Sequence, residues 1–131
     1  MFQKEWLLYT PIDTASRILL MKKVSPLKSL SILNHKKMYK AVIIDDEILA
    51  RKALRKLLGK YSHIEIVGEA DCVKTAINVI NESKPNLLFL DIQMPGETGF
   101  DLINTIDYQG LVIFVTAYDQ FAIRAFEINA F

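Results

Sequence analysis

From Tyr39 onward, short apolar runs alternate with stretches whose apolar positions recur every three or four residues. The first run, residues 40–44 (KAVII), is β-branched and predicts a buried strand. Glu47–Gly59 then sets Leu49, Ala53 and Leu57 on one helical face, widened by Ile48, Leu54 and Leu58. Arg51, Lys52, Arg55 and Lys56 fall outside that stripe, and Gly59 is its stop. Residues 64–68 (IEIVG) predict a second strand, Cys72–Ser83 a second helix, and Asn86–Leu90 a third strand. Residues 92–99 (IQMPGETG) read as a loop punctuated by Pro95, Gly96 and Gly99. A short helix over Phe100–Ile106, a strand over Leu111–Val115 and a helix over Asp119–Asn129 complete the series. Strands apolar on both faces, alternating with helices, imply a parallel sheet covered on both sides. The predicted fold class is α/β, an open, doubly wound parallel sheet.

The first stretch breaks this regularity. It has weak apolar periodicity, with Pro11 and Pro26 interrupting it. A short helix is predicted over Thr14–Lys23, capped by Asp13 or Thr14, with Ile18, Leu19 and Met21 as its apolar face. Charge separates the two parts. Residues 1–40 carry eight Lys/Arg against two acids, and residues 41–131 carry eight against thirteen. Residues 1–37 are therefore read as a basic extension, flexible or non-native, and 38–131 as the folded domain. No stretch here has the apolar core and cleavage site of a secretory signal.

Composition narrows the class. A chain of 131 residues, 51% hydrophobic and 24% charged, suits one packed domain. Its apolar runs are far too short for a membrane helix. The formal charge of +1 gives no bulk attraction to nucleic acid. Cys72 has no second cysteine to bridge, which suits a reducing, cytoplasmic setting, and it reads as a small apolar filler. His35 and His63 lack partners at metal-ligand spacing and read as solvated. The Arg51, Lys52, Arg55, Lys56 and Lys60 cluster reads as a solvated helix face.

In doubly wound sheets the reactive groups collect at the carboxyl ends of the strands. Here those ends carry Asp45-Asp46-Glu47, then Asp91, then Thr116-Ala117. With the first and third predicted strands adjacent, Asp45, Asp46 and Asp91 converge on one pocket. Crowded carboxylates resist ionising unless a cation lies among them, and a hard divalent ion such as Mg²⁺ fits an all-oxygen set. A carboxylate in such a site can act as a nucleophile towards phosphorus. Pro95 and Gly99 shape the following loop so that the backbone carbonyl of Gln93 can turn toward the metal.

The blocks AVIIDDE, LLFLDIQMPGETG and VIFVTAYD, in that order and spacing, resemble the receiver domain of two-component response regulators. The resemblance covers residues 38–131 and implies a flavodoxin-like fold with four of five βα units present. It implies that Asp91 is the phosphoacceptor, Asp46 the direct metal ligand, Asp45 the second acid and Gln93 the residue lending its carbonyl. Thr116 matches the switch hydroxyl, and Ala117 leaves it space. The implied cofactor is Mg²⁺ and the implied partner a histidine kinase. The segment TAYDQFAIRAFEINAF resembles receivers that precede a LytTR-type DNA-binding domain, which would lie beyond Phe131.

The resemblance also implies a fifth strand and helix, with a lysine at the strand's end, and the chain as given stops at Phe131 before them. Two functions follow. One is a phosphoacceptor switch served by a histidine kinase, a self-catalysed signalling module rather than an enzyme. The other is a phosphorylation-independent interaction module or inactive fragment. Without a fifth strand, the edge of Leu111–Val115 is expected to be open and to drive self-association or homodimerisation. The surface around Leu54, Leu57 and Leu58 is expected to be uncovered, with Trp6, Leu7, Leu8 and the Thr14–Lys23 helix as the only cover in cis. Neither a membrane nor nucleic acid is an expected partner of this chain itself.

Overall fold

The structure, a computed structural model, describes residues 18–22 and 33–116. The described elements are strand β1 (Ile18–Lys22), then β2 (Tyr39–Ile44), α1 (Ile48–Leu58), β3 (Ile64–Ala70), α2 (Val73–Ser83) and β4 (Leu87–Asp91). A small hairpin, β5 (Gln93–Met94) and β6 (Glu97–Thr98), leads into α3 (Gly99–Thr105) and β7 (Leu111–Thr116). The main sheet has the order β1-β7-β4-β2-β3, and every pairing in it is parallel. The helix predicted over Asp119–Asn129 lies outside the described residues.

Alternation along the strands divides the core into two layers. Val42, Ile44, Leu88, Leu90, Val112 and Phe114 face α2 and α3, where Ala76, Phe100 and Leu102 are buried against them. Ala41, Ile43, Leu87, Phe89, Ile113 and Val115 face the opposite side, where Leu58 and half-buried Leu54 of α1 cover them. Strands apolar on both faces thus have helices on both faces, as predicted.

Two expectations are corrected at the β7 edge. Residues 18–22 form a strand, not part of a helix over Thr14–Lys23, and pair with β7 in unbroken register from Ile18↔Val112 to Lys22↔Thr116. ILLMK is short and strongly apolar, and a short apolar run cannot be told as helix or strand by periodicity alone. The open backbone edge of β7 decides between them. That edge is therefore closed, and the open strand on which self-association was expected is not available. Leu33, 3% exposed, adds cover on the α1 side among Ile43, Phe89 and Ile113. Leu33, which precedes Met38, thus belongs to the same core as the domain that follows.

Smaller corrections concern exposure. In α1, Leu54 and Leu58 turn inward while Ile48 and Leu49 are exposed, so the Leu49–Ala53–Leu57 stripe is not the buried one. His35 is exposed, but His63 is buried, its ring 4.7 Å from that of His35 and edge-on to Tyr39 and Tyr61. Cys72 is the N-cap residue of α2 instead of an apolar filler: its N–H donates to Thr75 Oγ1 at 3.3 Å.

Candidate functional site

Parallel pairing of β2 with β4 brings their carboxyl ends side by side, Ile44 opposite Leu90. Asp45 and Asp46 follow β2 directly, and Asp91 is the last residue of β4. The result is an acidic cluster in which one carboxylate oxygen from each of Asp45, Asp46 and Asp91 lies within 4.8 Å of the others. Asp45 and Asp91 are buried and Asp46 is exposed, so the cluster opens to solvent on one side. Three carboxylates so close repel one another, and two of them have little water to screen the repulsion.

Backbone and side-chain bonds hold the cluster in place. Asp45 N–H donates to the Ala70 carbonyl at 3.1 Å, which carries the β2–β3 ladder past the end of β2. The Glu47 N–H donates to Asp45 Oδ1 at 3.0 Å, an Asx-type turn that starts the chain toward α1. From the first turns of α1, Arg51 Nη1 reaches back to the Asp45 carbonyl at 2.7 Å, while its Nε bonds Glu69 Oε1 at 3.1 Å. Arg55 joins the same Glu69. Arg51 is thus half-buried and engaged, a correction to the solvated-face reading that Lys52, Arg55, Lys56 and Lys60 fulfil.

The residues after Asp91 form a hairpin where a loop was predicted. Gly96, at φ +84°, supplies the left-handed turn, and Gln93 pairs with Thr98. Gly99 N–H closes on the Ile92 carbonyl at 2.8 Å. A Cβ on Gly99 would lie 2.5 Å from the Asp91 carbonyl oxygen, so only glycine lets α3 begin this close to Asp91. Gln93 N–H donates to Asp91 Oδ1 at 3.4 Å. Thr98 and Asp101 then cap α3 reciprocally, fixing the hairpin's exit.

Thr116 ends β7, the strand beside β4, one register position beyond the Asp91↔Val115 pair. The structure therefore gathers Asp45, Asp46, Asp91, Gln93 and Thr116 at one edge of the sheet. Ala117 lies outside the described residues. Sequence reading missed the Arg51 clamp on Asp45; it named Gly99 as shaping the loop, but not its close approach to the Asp91 carbonyl. The spacing of Arg51 from Asp45, about one helical turn into α1, was the available signal for the first.

Residues 41–131 match the response regulator receiver domain family. The chain belongs to the receiver domains of two-component response regulators. This receiver domain is 43% identical over 96 residues to the sensory transduction protein LytT of Bacillus cereus, covering 71% of this chain and 39% of that protein. It is 44% identical over 96 residues to the transcriptional regulatory protein BtsR of Escherichia coli, covering 72% and 40%. Among solved structures it resembles the response regulator PhyR from Brucella abortus, with a TM-score of 0.59 and 27% identity over 70% of this chain and 39% of that one. The signal receiver domain of NarL from Mycobacterium tuberculosis gives 0.59 and 28%, over 66% and 73%. These neighbours support the flavodoxin-like α/β fold of the receiver. The chain spans about 40% of the length of the curated relatives it matches. Among the described residues, no helix is long and apolar enough to cross a membrane.

Proposed function

We propose that this receiver takes a phosphoryl group from a histidine kinase onto Asp91. The observation that carries the reading is the acidic cluster itself, three carboxylates within 4.8 Å at the adjoining ends of β2 and β4. An all-oxygen set that opens to solvent suits Mg²⁺, which keeps several waters. Asp45, Asp46 and Asp91, with the Gln93 carbonyl, would hold the ion, and it would offset negative charge on the incoming phosphoryl group.

The chain's own residues do the rest. An Asp91 carboxylate oxygen attacks phosphorus, a new O–P bond forms, and the bond from phosphorus to the donor's leaving atom breaks. The leaving group departs with that bond's electron pair. The Gln93 N–H at Asp91 Oδ1 helps fix the carboxylate. Thr116 ends the next strand, and in this reading its hydroxyl donates to the phosphoryl oxygens. No acid or base catalysis is needed for a good leaving group, so a small donor such as acetyl phosphate can replace the kinase.

Incubation with acetyl phosphate and Mg²⁺ tests this reading. Intact mass should rise by one phosphoryl group, in an acid-stable, base-labile adduct, and Asp91→Asn should abolish the gain. A chain that takes up no phosphoryl group would favour the phosphorylation-independent interaction module.

A further inference from the structure

The backbone of Asp45 is held from β3 on both sides. Its N–H donates to the Ala70 carbonyl at 3.1 Å. Its carbonyl accepts from Arg51 Nη1 at 2.7 Å, and the Nε of that arginine donates to Glu69 Oε1 at 3.1 Å. Glu69 and Ala70 are consecutive in β3, so a closed ring of bonds runs from β3 through Asp45 and Arg51 and back to β3. Glu69 is not one of the three clustered acids. It is the residue that closes the ring.

A register slip aims Glu69 at α1. β2 and β3 pair Ala41 with Ile66 but Val42 with Gly68, so Val67 is passed over. Beyond the slip, Ile43 stands opposite Glu69 and Ile44 opposite Ala70. Ile43 belongs to the layer under α1, and Ile44 and Ala70 to the layer under α2 and α3. Residues opposite one another on neighbouring strands share a face, so Glu69 stands on the α1 side. Without the slip Glu69 would oppose Ile44, and its carboxylate would enter the apolar layer on the other face. An extra residue that re-aims a side chain is a recurrent device beside functional sites.

We propose that Glu69 is a positioning residue for Mg²⁺, holding Arg51 against the Asp45 carbonyl and so setting the metal affinity of the Asp45–Asp46 turn. The proposal rests on the reading that Asp45, Asp46 and Asp91 hold the ion. Two arginines one helical turn apart share this glutamate, Arg51 at Oε1 and Arg55 at Oε2. They are not equivalent. The side chain of Arg55 is 51% exposed and that of Arg51 only 15%, so the Arg51 pair is the less screened by water. Of the two, Arg51 is the one that continues to Asp45. With two guanidinium groups on its carboxylate, Glu69 acts by fixing Arg51, and its own charge is offset locally.

The test measures two quantities on the full chain: Mg²⁺ affinity by titration without a phosphoryl donor, and the Mg²⁺ dependence of Asp91 labelling by acetyl phosphate. Glu69→Ala should weaken Mg²⁺ binding by about three- to tenfold, at the low end for groups that hold metal ligands in place. The Mg²⁺ concentration for half-maximal labelling should rise by the same factor, while the maximal rate stays within about twofold, as for a loss of binding alone. Glu69→Gln keeps an acceptor oxygen for Arg51 Nε and should recover part of the affinity. It also replaces Glu69→Ala if that variant fails to melt cooperatively. Arg55→Ala, which removes only the exposed partner, should leave the affinity within about twofold of the wild type. In an Arg51→Ala background Glu69→Ala should have no further effect, because the link is already cut. Wild-type affinity in both Glu69 variants would overturn the role of Glu69 while leaving the acidic cluster in place. An equal loss from Glu69→Ala with Arg51 present and absent would do the same, since it would be an effect of charge alone. A wild-type chain that binds no Mg²⁺ would overturn both readings.

Discussion

Arg51 Nη1 donates to the backbone carbonyl of Asp45 at 2.7 Å, tying the first turns of α1 to the turn that carries two of the three clustered carboxylates. The same guanidinium is held from behind by Glu69 of β3. Its role is to position the acids without binding the ion. Arg51→Ala should cost about 1.5–3 kcal/mol of stability, the usual range for a charge-assisted bond. It should also weaken Mg²⁺ binding several-fold, because the Asp45–Asp46 turn loses its anchor. Denaturant melts and a Mg²⁺ titration measure the two effects.

Gly99 is a second positioning residue. A methyl group there would press on the Asp91 carbonyl oxygen, on Leu90 and on Phe114, two of which are rigid core side chains. Gly99→Ala should destabilise the domain by about 1–3 kcal/mol, the usual cost of overpacking. Labelling of Asp91 should slow as well, since relief requires the β4 end to shift. Gly96→Ala should behave differently: no atom lies within 4 Å of a Cβ there, so its cost comes from the positive φ alone, about 1 kcal/mol.

The N-terminal segment should be required for a monomeric fold. Leu33 is buried in the same core layer as Phe89, and Leu33→Ala should cost about 2–4 kcal/mol by transfer and cavity terms. Removing residues 1–37 also strips β1 from β7, exposing the backbone edge of Leu111–Thr116. Sedimentation of the full chain should give a monomer, and the 38–131 fragment should self-associate. A monomeric fragment that melts cooperatively would contradict this.

Mg²⁺ should stabilise the folded chain by mass action, by about 2.7 kcal/mol at a hundred times its dissociation constant. Asp46→Ala removes the solvent-exposed carboxylate of the cluster and should abolish most of that gain. Thermal melts with and without Mg²⁺ read it directly.

The domain after Met38 was legible because its strands are apolar on both faces and its acids fall at strand ends. Those two features alone place Asp45, Asp46 and Asp91 together once β2 and β4 are neighbours. The rest was hidden for identifiable reasons. Residues 18–22 carry a pattern compatible with helix or strand, and the open edge of β7, a tertiary feature, selects the strand. Leu49 and Leu54 share a helix and a residue type, yet only the packing of α1 decides which turns inward. His63 is buried although its Nε2 has no hydrogen-bond partner among the described residues, because Tyr39, Tyr61 and His35 close around its ring. Polarity of the residue type pointed outward, and ring packing overrode it.

The central claim is that Asp91 accepts the phosphoryl group, and site mapping tests it most directly. The full chain is incubated with acetyl phosphate and Mg²⁺, reduced with borohydride, which converts an aspartyl phosphate to homoserine, and mapped by peptide mass spectrometry. The account predicts homoserine at position 91 and at neither Asp45 nor Asp46. Homoserine at Asp45 or Asp46, or an unmodified Asp91 in a chain that has gained a phosphoryl group, would contradict it.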